Sequence, residues 1–306
     1  MKKFANVSLI VAGILFVTGA IILLICSMFA GNMRGALSDG VSSQLHSTIN
    51  GNVFHLWNGN THHHFDKSHA IYSGQHADDS AANASDITEL EIDLNYVDLT
   101  LTASQDEYFH ISSEGSGKYQ YYTDNSGFYL NGFFDRSSLS TNQITLAVPD
   151  IRFSNITIDF GAGSASLSSL KSDSVSLDIG AGELTLDGVE CDYICADVGA
   201  GAASIKNGQT QNADFEIGMG KLLYEGFIDA DLTAEVGMGN ITLQLADSQN
   251  AHNYDLECSM GSITLGQKEY GGMAFETEFD NNADSNFLLE CGMGSIDVTF
   301  QDLEEN

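Results

Sequence analysis

Five short glycine-rich elements recur in this chain at a constant spacing. With the first small residue of each taken as position 0, they fall at Gly161, Gly180, Gly199, Gly218 and Gly237, every step being 19 residues. Ser259 and Gly292 continue the series after 22 and 33 residues, and a weaker copy, LEIDLNYVDLTL, places Asn95 at the same position. A fixed period near 20 residues marks a solenoid, in which each repeat buries its apolar face only against its neighbours.

Each copy is strand-like. Val175, Leu177 and Ile179 alternate with Ser176 and Asp178, and after the glycines Leu184 and Leu186 flank Thr185. A period of two is that of a strand. The apolar residues at −3, −1 and +1 share one parity and those at +4 and +6 the other, so the chain must bend or bulge between them, where Gly182 sits. Position −1 reads Phe160, Ile179, Val198, Ile217, Val236, Cys258, Cys291, and position +6 reads Leu167, Leu186, Ile205, Tyr224, Leu243, Leu265, Val298. Position +1 changes from Ala162, Ala181 and Ala200 to Met219, Met238, Met260 and Met293. Taken as a core stripe rather than a ligand groove, this column predicts an interior that widens toward the carboxyl end. The longer spacings predict outward insertions, the larger within residues 266–287, where binding residues often lie. Residues 86–160 are less regular and predict first coils or a strand-rich cap, with strands in YFHISSEG, GFYLNGFF and NQITLAVP.

Composition and the amino terminus add an address. The chain has 306 residues, one proline, 31 glycines and a formal net charge of −31. That charge excludes ordinary nucleic-acid binding, which needs cations against phosphate, and disfavours docking on an anionic membrane surface, while permitting cationic partners. Val7 to Ala30 carries no charge and is long enough to span a bilayer, with Lys2 and Lys3 before it. The expectation is a cytoplasmic tail over 1–6, an uncleaved transmembrane helix over 7–30 and an extracellular remainder. A cleaved signal peptide is the rival, but the run is longer than a signal core. So short a tail leaves no cytoplasmic domain, and any signal would pass through a partner. Residues 31–85 lack periodicity and predict a flexible linker. It holds seven of the nine histidines, His46, His55, His62, His63, His64, His69 and His76. THHHFDKSH is either a polar tract without a defined site, the simpler reading, or a transition-metal ligand set that would also gain charge near pH 6. The five cysteines form no metal-type CxxC pair and read as small buried side chains.

The segment ITLAVPDIRFSNITIDFGAGSASLSSLKSDSVSLDIGAGELTLDGV resembles a bacterial envelope family of β-strand-repeat proteins of unknown function, filed as candidate adhesins. Ile144 to Pro149, Gly161 to Gly163, Gly180 to Gly182 and Gly199 to Gly201 carry the resemblance, which covers about residues 86–300. It implies surface exposure and a single membrane anchor, and supplies no catalytic residues.

The column at position −2 is acidic throughout: Asp93, Asp159, Asp178, Asp197, Glu216, Glu235, Glu257 and Glu290. Parity points it outward. Stacked carboxylates about 4.8 Å apart repel by about 1 kcal/mol per neighbouring pair in water. A solvated face that discourages edge association tolerates that. The sharper expectation is a weak cation ladder of Asp159, Asp178, Asp197, Glu216, Glu235 and Glu257. Two rungs offer at most four oxygens where calcium takes about 6 to 8, so waters would complete the shell and calcium binding would be weak. No other cofactor is expected. Position +5, Ser166, Thr185, Ser204, Leu223, Thr242, Thr264 and Asp297, offers a strip for a glycan or an envelope protein, or ordinary strand surface. Phosphate-loop, zinc and nucleophile–base signatures are missing, and basic residues beyond the linker are only Lys118, Arg136, Arg152, Lys171, Lys206, Lys221 and Lys268.

The sequence thus predicts an all-β protein: a β-solenoid of about 19-residue coils over 86–302, after one transmembrane helix and a flexible stalk. Its expected role is a non-catalytic binding or structural module of the cell envelope, in adhesion or in envelope sensing. The alternative is an extracellular polysaccharide-acting enzyme on the same scaffold.

Overall fold

The computed structural model describes residues 69–133, 142–272 and 274–301. The expected anchor over 7–30, the tail before it and the linker histidines His46, His55, His62, His63 and His64 lie outside the described residues. Among the described residues no helix is long and apolar enough to cross a membrane.

Strands dominate. β1 (Tyr72–Ser73), β2 (His76–Asn83), β3 (Glu89–Asn95), β4 (Val97–Ala103), β5 (Tyr108–Glu114), β6 (Lys118–Asp124), β7 (Gly127–Phe133) and β8 (Gln143–Val148) precede the regular repeats. β9 (Arg152–Phe160), β10 (Gly163–Ile179), β11 (Glu183–Val198), β12 (Ala202–Ile217), β13 (Lys221–Ile228), β14 (Leu232–Val236) and β15 (Asn240–Leu245) carry them. The last group is β16 (His252–Cys258), β17 (Ser262–Leu265), β18 (Lys268–Gly271), β19 (Phe275–Phe279), β20 (Ser285–Cys291) and β21 (Ser295–Phe300).

Each coil runs through two rows of hydrogen-bonded strands. One row stacks β7, β3, β9, the second halves of β10, β11 and β12, then β14, β20 and β16, all parallel. The other stacks β8, β4, the first halves of β10, β11 and β12, then β13, β15, β21 and β17, again parallel. The −1, −3, +4 and +6 side chains of both rows point inward and are buried in one core, as Leu177, Ile179, Leu184 and Leu186 illustrate. The parallel register is the 19-residue offset itself, as in Leu167 against Leu186 and Leu186 against Ile205.

The glycine corners follow from close stacking. At position +2, a Cβ on Gly201 would lie 2.3 Å from the Gly182 carbonyl oxygen, and one on Gly239 2.3 Å from that of Gly220. Only glycine fits there. At position 0 the clearance is larger, 3.0 Å between a Cβ on Gly199 and the Gly180 oxygen. Ser259 occupies this position in a later coil.

Three expectations are corrected. The coils do not stack in sequence order: the chain passes β16 and β17, turns back through β18 and β19, and inserts β20 and β21 between its last two coils. The insertion at 266–287 is therefore largely paired, with β18 and β19 antiparallel to β17 and β16. Edge strands with open amide and carbonyl rows need such covering. The other end is closed likewise, by β6 and β5 antiparallel to β7 and β8, with β1 and β2 outside them.

The second correction concerns the linker, because β1 and β2 lie within it. Tyr72 stacks on Tyr121 at 4.9 Å and on His76 at 4.3 Å, and the Tyr121 hydroxyl donates to Asp78 at 2.6 Å. These contacts hold two polar strands that no hydrophobic pattern announces.

The third is the methionine column, which is not core. Met219, Met238, Met260 and Met293 are among the exposed large apolar residues. Strand alternation stops at the corner, so position +1 projects outward instead of keeping the parity of −1.

Candidate functional site

The acidic column lies on the outer surface of the first row. Its register is continuous: Asp93 beside Asp159, then Asp178, Asp197, Glu216, Glu235, Glu290 and Glu257. Every member is half-buried or exposed, as parity predicts. The contiguous ladder predicted from Glu235 to Glu257 is interrupted, because β20 places Glu290 between them. Glu257 is flanked instead by Glu290 and, across the antiparallel pair, by Glu276. Partial burial raises the carboxyls of Glu235 and Glu290, with Glu216 and Asp214 adding for the first and Glu235, Glu257 and Asp255 for the second. Among the described residues no three His, Cys, Asp or Glu side chains converge to hold a metal ion. The column is a row of like charges at strand spacing, suited to loosely held cations.

The adjoining outward column adds Cys195, Asp214, Thr233, Leu288 and Asp255 in register. Burial, then the charges of Asp214 and Asp197, push the Cys195 thiol up to about 11, so it stays protonated and unreactive. Burial also raises Asp214, against a hydrogen bond from the Tyr193 hydroxyl at 3.4 Å. Toward the carboxyl end the face sinks into a groove of about 610 Å³ with Leu288 and Phe279 among its apolar walls and Asp231, Asp255, Glu278 and Asp280 among its polar ones. Asp255 and Glu278 stand directly opposite each other across β16 and β19. Among the described residues no Lys, Arg or His lines the groove.

The described cations sit mainly away from this column. Arg152 reaches Asp173 at 2.8 Å, Asp192 at 2.9 Å and Glu190 at 3.4 Å, tying three successive coils together. Lys171 pairs with Asp150 at 2.7 Å.

A further constellation is invisible to sequence spacing. His252 Nε2 lies 2.7 Å from Asp247, and its Nδ1 hydrogen-bonds Ser285. With a neutral imidazole facing a carboxylate, Nε2–H donates to Asp247 and Nδ1 accepts from the Ser285 hydroxyl. The residue types are those of a serine hydrolase. The placement is not: His252 and Ser285 are buried, the imidazole stacks on Phe287 at 3.9 Å, and neither residue lines the groove. This trio ties the loop before β16 to the returning strand β20. Ser285 belongs to the expected insertion, so only the folded chain order brings it to His252.

Position +5 is outward as predicted, in the order Ser166, Thr185, Ser204, Leu223, Thr242, Asp297 and Thr264. Cys191, Cys258 and Cys291 are buried, the last two side by side, as the apolar reading of the cysteines expects, whereas Cys195 is half-buried on the outer face.

Known proteins place this architecture. The family described as Toastrack DUF4097 matches residues 87–282, most of the described coils. No curated protein matches the chain. Among solved structures, a candidate cell adhesion protein from Clostridium sporogenes is 12% identical, covering 74% of this chain and 100% of its own, with a TM-score of 0.33. A candidate adhesin from Bacteroides fragilis is 13% identical over 75% of this chain and 97% of its own, with a TM-score of 0.41. Another from Parabacteroides distasonis is 11% identical over the same shares, with a TM-score of 0.44. With the glycine-cornered coils and the family match over most of their length, the chain belongs to the Toastrack DUF4097 family.

Proposed function

We propose that the protein is a membrane-anchored, outward-facing, non-catalytic binding module of the cell envelope, and that its acidic face is the contact surface. The observation that carries this is the unbroken register of outward carboxylates from Asp93 to Glu257, which ends beside an acid-lined groove. Such a face suits cationic segments of an envelope protein, or glycan hydroxyls bridged by loosely held calcium. The uncharged run at 7–30, long enough to span a bilayer, would supply the anchor.

Protease treatment of intact cells producing the full chain with an epitope tag after Asn306 tests the orientation. Loss of the tag without lysis is the expected result. Protection until lysis contradicts it.

One observation favours a second reading, a polysaccharide-acting enzyme. Cross-strand neighbours have Cβ atoms about 4.5–5.5 Å apart, which lets two carboxyls reach the separation used by retaining glycosidases, and Asp255 and Glu278 are such a pair in a groove. Release of reducing ends from envelope glycan by the intact protein, abolished by Glu278→Gln, would establish it. Absence of release leaves the binding reading.

A further inference from the structure

Four methionines form a continuous exposed row at the coil corner. Met219 N–H donates to Gly199, Met238 to Gly218, Met293 to Gly237 and Met260 to Gly292, each at 2.7 or 2.8 Å. These bonds order the row in space as Met219, Met238, Met293, Met260, which differs from chain order. Their exposures are 62, 50, 55 and 64%. Two earlier coils make the same corner with Ala181 and Ala200, whose N–H groups donate the corresponding backbone bonds to Gly161 and Gly180. Alanine thus satisfies the fold, and the longer thioethers contribute nothing to the core.

We propose that this row is a binding site for a soft monovalent metal ion, with Cu(I) as the natural class and adjacent thioether sulfurs as ligands. Thioethers prefer soft cations, in contrast to the hard-cation preference of the carboxylate column. Rungs are about 4.8 Å apart. Two metal–sulfur bonds of about 2.3 Å, the length zinc makes to a cysteine sulfur, span nearly that distance, so neighbouring rungs can ligate one ion from opposite sides. Methionine's rotatable bonds let a third sulfur close in. The glycines flanking Met219, Met238 and Met293, and the Ser and Gly flanking Met260, add little side-chain bulk beside the row. They also leave the apolar stripe one side chain wide, too narrow for a protein interface of about 800 Å² per partner. The net charge of −31 draws cations to the surface. The Cys291 and Cys258 side chains lie buried in the core beneath the corner, on the opposite side from the exposed methionines.

The test is titration of the full chain in detergent, labelled with ¹³C at the methionine methyls, using Ag(I) as a redox-inert probe and Cu(I) under reducing conditions. The methyls of Met219, Met238, Met293 and Met260 should shift and saturate at one or two ions per chain, with the other methionines as internal references. Met238→Leu with Met293→Leu removes the central pair at exposed positions, and should weaken binding at least tenfold with the circular dichroism unchanged. Affinity should vary less than about twofold between pH 5 and 7, since a thioether has no proton to lose, whereas imidazole ligands weaken as they protonate. Four unmoved methyls overturn the proposal, as does unchanged affinity in the double variant, or binding lost on replacing His62, His63 and His64. Methyl shifts that follow protein concentration without metal would instead make the row a self-association surface and overturn it too.

Discussion

Glu235 stands in register with Glu290, and Glu290 with Glu257, although Glu257 precedes Glu290 in the chain. The carboxyl end of the solenoid is thus built by a strand that returns and inserts. The acidic column and the buried Ser285–His252 contact both depend on this ordering.

Raised carboxyls on the column set a pH dependence. Glu235 and Glu290 hold their protons more tightly in the folded protein, above the ordinary 4.5. Their contribution to stability is fully present below the unfolded value and is lost as pH rises through the folded one. Glu91, raised by burial and then by Asp93 and Glu89, acts in the same direction. Asp78, lowered by the Tyr121 hydroxyl, acts oppositely, but only below the ordinary aspartate value of 3.8. Melting temperature should therefore be higher at pH 4.5 than at pH 7.5. Glu235→Gln with Glu290→Gln should raise the value at pH 7.5 and flatten the difference.

The two corner glycines should differ sharply. Gly201→Ala forces a Cβ to 2.3 Å from a backbone oxygen, where Gly199→Ala leaves 3.0 Å. The first should cost about 1–3 kcal/mol, which for a domain of this size lowers the melting temperature by roughly 2–4 °C per kcal/mol. The second should cost less than half as much. Thermal unfolding of both variants is the check, and equal losses would remove the stacking explanation of the GxG corner.

Ser285 should act as a structural residue. Ser285→Ala leaves His252 Nδ1 without its donor and should destabilise by about 1–3 kcal/mol. A fluorophosphonate probe should leave Ser285 unlabelled in the folded protein, because the residue is buried at the start of the returning strand, against His252. Stoichiometric labelling at Ser285 would show that the trio works as a nucleophilic centre.

The regular coils were legible because a solenoid repeats one physical problem at a fixed step. Leu177, Ile179, Leu184 and Leu186 are buried where their alternation put them, and the −2 carboxylates face out. Legibility failed where periodicity stops. Met219 and its neighbours sit on a corner, where counting in twos no longer gives the side-chain direction. The order of the last coils is decided by end-capping through β18 and β19, a long-range pairing that spacing does not encode. β1 and β2 are held by tyrosine stacking and by Asp78, without an apolar pattern. Two of the trio, Asp247 and His252, are close in sequence, but Ser285 is brought there by the fold.

The central claim, an acidic face that takes up cations, is tested most directly by thermal unfolding of the full chain in detergent, in millimolar calcium and in sodium chloride of matched ionic strength. Calcium should raise the melting temperature by several degrees beyond the sodium control, and Glu216→Gln, Glu235→Gln and Glu290→Gln together should remove that excess. Equal curves in the two salts, or an excess that survives in the triple variant, would contradict it.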